Sequence, residues 1–191
     1  MTPGTPLVAI RSLARPGKAR RRSGRPRDSQ KRRLYRAEGA IKDLGWHGHD
    51  LGVCEEYIRR VWTDPRVLVA FPWIRRVPCP IVTNGQGNSH PTGGRRRIKL
   101  PKAARKESTA LHEVAHSIVL WGPPPDHPGH GRVFARTLLC LVQIRMGAAA
   151  ARALRESFVT HRVRYRRVSR ISPARRVEMA AQARANFGRP S

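Results

Sequence analysis

The sequence predicts an α+β fold, with a small mixed or antiparallel sheet, one helix that carries the chemistry, and basic ends outside the core. Three observations predict it. Residues 108–120 contain no Gly or Pro and hold His112-Glu113-Val114-Ala115-His116 within an apolar pattern of helical period. Short candidate strands, at 67–71, 81–83 and 95–100, are interspersed among helical segments. The charge is also uneven. Of a formal net charge of +27, residues 1–33 carry eleven Lys/Arg and one acid, and residues 152–191 carry eleven Arg and two acids. Basic ends around a milder centre read as tails on a folded domain.

In chain order, residues 1–27 are rich in Pro, Gly, Ser and Arg and bury too little apolar surface to fold alone. They are expected to form a basic disordered arm. A helix begins near residue 28, capped by Asp28 or Ser29, with Leu34, Ala37, Ile41 and Leu44 as its apolar face. The stretch Gly45-Trp46-His47-Gly48-His49 breaks it, and His47 and His49 read as loop residues. Residues 51–63 form a second helix with Val53, Tyr57, Ile58, Val61 and Trp62 on one face, ended by Pro65. Residues 67–71 and 81–83 read as strands, and a Gly/Asn/Pro-rich loop runs through Gly94. In 95–101, Ile98 and Leu100 alternate with charged residues before Pro101, the pattern of a protected edge strand.

Beyond the helix of 108–120, Gly122 and three prolines force a stop. His130 then opens a helix over 131–146, whose apolar period is Val133, Phe134, Thr137, Leu138, Leu141 and Val142. Gly147 interrupts it, and 148–158 continues as helix. Residues 159–165 alternate weakly and read as a last strand, with His161 and Tyr165 on the surface. Residues 174–187 form a basic, alanine-rich helix inside a basic tail at 169–191. The folded domain is expected to span 28–168.

Cys54, Cys79 and Cys140 have no C-x-x-C spacing, which argues against a zinc ribbon and a disulfide framework. An odd cysteine count suits a reducing, cytoplasmic compartment. No run of 18 apolar residues is present, so no transmembrane helix is expected.

The chemistry centres on the H-E-x-x-H. Residues four apart on a helix share a face, so His112 and His116 can bind one metal ion. Glu113 is offset and stands over the open coordination position, where water binds. Leu111, Val114, Ala115 and Ile118 form the opposite, core-facing stripe. A catalytic zinc needs a third protein ligand. His130, at the start of the next helix, is the first choice, and His127 is the second, held back by Pro128. Asp126 reads as a loop residue, or else as an acceptor that orients a ligand imidazole.

Four stretches together resemble a group of metallohydrolases of actinobacteria and their phages. They are Arg27-Asp28-Ser29-Gln30 through Tyr35-Arg36-Ala37-Glu38, Ile98-Lys99-Leu100-Pro101, Leu111-His112-Glu113-Val114-Ala115-His116, and His130-Gly131-Arg132-Val133-Phe134. That group looks like a short zincin, distantly similar to SprT-like metalloproteases, and the resemblance spans roughly residues 27–166. It implies a zincin-like fold, with His112, His116 and His130 holding Zn²⁺ and Glu113 as the catalytic residue. The chain departs from it in its long basic ends and in lacking the cysteine ribbon of SprT proteins.

The expected activity is zinc-dependent hydrolysis, with a peptide or protein as substrate. Glu113 would take the proton of the attacking water and pass it to the leaving amine. Arg132, Arg136, His127 and Tyr165 are the available donors to the oxyanion. Three-His sites also accept Fe, Co, Ni or Mn. The alternative is a DNA- or RNA-binding protein with a structural or degenerate zinc site, motivated by the basic ends.

Overall fold

The structure, a computed structural model, describes residues 30–48, 50–85, 90–122 and 129–165. Asp28, Ser29, His49, Asp126, His127, the basic arm and the tail all lie outside the described residues.

Helix α1 (Lys31–Glu38) begins at Gln30 and runs into a 3-10 turn, Gly39–Ile41. Leu34, Ala37 and Ile41 are fully buried. Leu44 is exposed, because the helix ends at Glu38 and the periodicity does not carry that far. Helix α2 (Leu51–Thr63) is capped by Asp50, whose carboxylate accepts the Gly52 N–H at 2.7 Å. Its buried face is Cys54, Ile58, Val61 and Trp62, spaced i, i+4, i+7, i+8. Val53 falls beside that stripe and is exposed, contrary to expectation.

Residues 67–71 are not a strand. Helix α3 (Pro65–Ala70) takes most of them, with Val67 buried and Val69 exposed. Asp64 caps it through the Arg66 N–H at 2.9 Å, and Pro65 sits in the first turn with its φ already helical. This start signal overrides the weaker β preference of Val67-Leu68-Val69.

The sheet is small and mixed, formed by β1 (Ile81–Thr83), β2 (Thr92–Gly93) and β3 (Arg97–Lys99) in the order β1-β3-β2. β3 runs parallel to β1, with Val82 opposite Ile98, and antiparallel to β2, with Gly93 opposite Ile98. β3 is therefore the central strand and not an edge. β1 and β2, the latter in the Gly-rich loop, are the edges.

Helix α4 (Glu107–Trp121) carries the H-E-x-x-H and packs on α5 (Arg132–Arg145) and on β2 and β3. Leu111, Val114, Ala115 and Ile118 are fully buried as expected. The other face of α4 is covered too, so His112 and Glu113 are each only 3% exposed. Helix α6 (Gly147–Thr160) packs on α5 and α1. Gly147, at φ +90°, turns the chain between α5 and α6 in a conformation that side chains resist. α6 continues through Thr160, and residues 161–165 form a turn and an irregular segment where a last strand was expected. All three cysteines are free thiols. Among the described residues, no helix is long and apolar enough to cross a membrane.

Candidate metal centre

Three imidazoles meet at one point. Helix α4 places His112 Nε2 and His116 Nε2 3.1 Å apart. A tetrahedral zinc with Zn–N bonds of 2.0–2.1 Å separates two ligand nitrogens by about 3.3–3.4 Å. His130 arrives from the residue before the N-cap of α5 and is 6% exposed. The ligand nitrogens of His112, His116 and His130 all lie within 4.8 Å of one another. Phe134, one turn into α5, lies against all three rings, with centroids 4.8, 4.3 and 5.1 Å away. The phenyl ring gives the three imidazoles a common apolar backing.

Two residues of α1 complete the site, and both escaped the sequence reading. The Glu38 carboxylate accepts the His112 Nδ1–H at 2.9 and 3.0 Å, which turns the lone pair of Nε2 toward His116. Tyr35 stacks on His112 at 5.4 Å and places its hydroxyl 3.4 Å from His130 Nε2. The available signal was slight: Glu38 is the only acid between Asp28 and Asp43, one turn after Tyr35.

Electrostatics follow the same layout. Burial opposes charge on His112, but the carboxylates of Glu38 and Glu113 together outweigh it, and the His112 pKa is raised. Burial drives His116 far below the ordinary histidine range, and the other two imidazoles add to this, so it stays neutral and able to ligate. Glu113 is pushed up to about 7 by burial, against pulls from His112 and the Gly93 N–H. Its Oε2 atom is buried and has no hydrogen-bond partner among the described residues. Such an orphan costs about 1–3 kcal/mol unless a ligand or water satisfies it. Three converging imidazoles, one fixed in tautomer, beside an unsatisfied carboxylate oxygen fit a metal ion with a water at its open position.

A cavity of about 630 Å³ opens beside this group, lined among others by Tyr35, Glu38, Thr92, His112 and Glu113. The oxyanion donors expected from sequence are not in it. Arg132 and Tyr165 line a different cavity, Arg136 is exposed on α5, and His127 lies outside the described residues. Tyr35 lines it instead.

Gly93 lets β2 lie against α4. A Cβ there would meet the Glu113 carbonyl oxygen, with His116 Cβ at 2.8 Å and Glu113 Oε2 at 2.9 Å. Ser117 Oγ holds the strand in place by donating to the Gly94 carbonyl at 2.6 Å. Gly93→Ala is expected to lose about 1–3 kcal/mol of stability through overpacking, and most of any hydrolytic activity. Gly39→Ala, which meets open space, serves as the control in thermal unfolding.

Comparison with family models, curated proteins and solved structures found no match to this chain. The likeness to actinobacterial metallohydrolases therefore rests on the quoted motifs alone.

Proposed function

We propose that this chain is a zincin-like, zinc-dependent metallohydrolase that cleaves a peptide or protein. The observation that carries the reading is the partnerless Oε2 of Glu113, buried beside the His112, His116 and His130 cluster. A structural zinc is usually closed by four ligands. Here the cluster among the described residues has three, and a structural role would leave Glu113 a cost without a use.

His112, His116 and His130 hold the metal. When bound, zinc supplies a Lewis acid that acidifies water and polarises a carbonyl. Glu113, held near neutrality by burial, accepts the proton of the attacking water and delivers it to the leaving amine. The Tyr35 hydroxyl donates to the oxygen on which charge develops. Thr92, on β2 at the edge of the sheet, lines the cavity where a substrate would lie.

The test is the metal content of the purified protein. About one zinc per chain, lost in His112→Ala, His116→Ala and His130→Ala alike, is the expected result for a three-ligand site. Zinc retained in His130→Ala but lost in His112→Ala would transfer the third position to His127. A wild-type protein that takes up no metal when zinc is supplied would sink the reading.

A further inference from the structure

A second cavity, of about 610 Å³, is lined by residues of α1, α5, α6 and the segment that follows α6. Four arginines line it: Arg33, Arg132, Arg162 and Arg164. The rest of its described lining is Phe158, Val159, Val163 and Tyr165, with no carboxylate among them. Arg132, Arg162 and Arg164 are exposed, and positive charge gathered at one place attracts an anion.

The four come from three separate segments, and buried contacts hold those segments together. After α6 the chain reverses at Arg162, with φ +52°, and the Val163 N–H donates to the Phe158 carbonyl at 2.8 Å. Val163 is buried, so its neighbours Arg162 and Arg164 are turned outward. Arg33 Nη1 donates to the Arg162 carbonyl at 3.2 Å. Gln30, 5% exposed, then ties the segments to one another. Its Oε1 accepts the Arg164 N–H at 2.9 Å, while its Nε2 donates to the carbonyls of Arg164 at 3.1 Å and His130 at 2.8 Å. Arg132 opens α5, whose first turn carries no acid, so the helix N-terminus adds its own attraction for an anion.

The chain on either side of this clamp extends the same charge. Residues 1–29 hold eight Lys/Arg against Asp28, and residues 166–191 hold seven Arg against Glu178. Both stretches are covalently joined to the folded part at the Gln30–Arg164 contact. A small anion would need only the cavity. Further positive charge in the adjoining sequence on both sides matches a ligand with phosphates repeated along its length.

We infer that the Arg33, Arg132, Arg162 and Arg164 cavity binds the phosphate backbone of a nucleic acid, independently of sequence. One amide, that of Gln30, links this site to the backbone of the third imidazole. The site thus sits on the folded domain and is not confined to the basic ends.

Fluorescence anisotropy of the full chain with labelled single-stranded and duplex oligonucleotides, over a salt series, tests this. The double variant Arg132→Gln, Arg164→Gln is expected to bind about tenfold more weakly and to flatten the slope of log affinity on log salt by about 2. Arg75→Gln, Arg76→Gln removes the same charge from exposed residues of the 3-10 turn Pro72–Arg76 and is expected to change little. Arg132→Gln alone, which leaves the Gln30 clamp intact, should flatten the slope by about 1 and keeps the test open if the double variant unfolds. Glu113→Gln should bind like the wild type, which separates this site from the hydrolase reading. Equal losses in the site and control variants would reduce the effect to diffuse charge and overturn the inference. Polyglutamate competing as well as the oligonucleotide would overturn it in favour of an acidic protein.

Discussion

Glu113→Gln is expected to retain one metal per chain and to hydrolyse an unfolded protein substrate about 10²–10⁴-fold more slowly than the wild type. The amide keeps the size of the side chain but cannot accept the proton of the attacking water. Retained hydrolysis would remove Glu113 from the mechanism, whatever the metal content. The same variant carries a second signature, read on metal-stripped protein. Burial raises the Glu113 carboxyl from 4.5 to about 7. The unfolded chain therefore ionises first, and the folded state loses stability as pH rises through that window, by on the order of 3 kcal/mol. Glutamine has no such loss. The stripped variant should unfold at higher temperature than the stripped wild type near pH 8, and show no such gain near pH 4. Lost turnover together with a gain in stability of the stripped protein would be the signature of an active-site residue.

The parts of this fold that were legible in the sequence are those fixed locally. The helix carrying His112 and His116 declares itself over five residues, and the end of α2 is marked by Pro65. His130 and Phe134 are one helical turn apart and lie three or more turns of chain beyond His116, so only a short connection had to be guessed. The rest depends on contacts that no window of sequence displays. The central place of β3 follows from β2, two residues in a Gly-rich loop with no period to read. Residues 67–71 carry the β-branched side chains of a strand, but the Asp64-Pro65 start signal just before them makes them helical. Gln30 acts through the backbone of His130 and Arg164, 100 and 134 positions away. The fourfold arginine cavity is equally invisible, because Arg33, Arg132 and Arg162 stand far apart in a chain where arginine is common.

Glu38 is the most consequential residue of this non-local kind, and Glu38→Ala is expected to weaken zinc binding about 10–100-fold. His112 is 74 positions away in sequence and almost wholly buried, so its Nδ1–H has few other acceptors within reach. With Glu38 removed, the buried imidazole can shift its proton to Nε2, the nitrogen that must be bare to ligate. It also loses the negative charge that offsets its burial and keeps it basic. Glu38→Gln should fall between the two, because its amide oxygen still accepts the Nδ1–H but brings no charge. Competition against a zinc chelator measures all three affinities. Thermal unfolding of the metal-free proteins separates a lost ligand orientation from a loosened α1, whose attachment rests on Leu34, Ala37 and Ile41. An unchanged zinc affinity in Glu38→Ala would mean that His112 is oriented by its packing against Tyr35 and Phe134 alone. A graded loss, from wild type through glutamine to alanine, would show that the lone acid of a basic helix is there to set the tautomer of the first metal ligand.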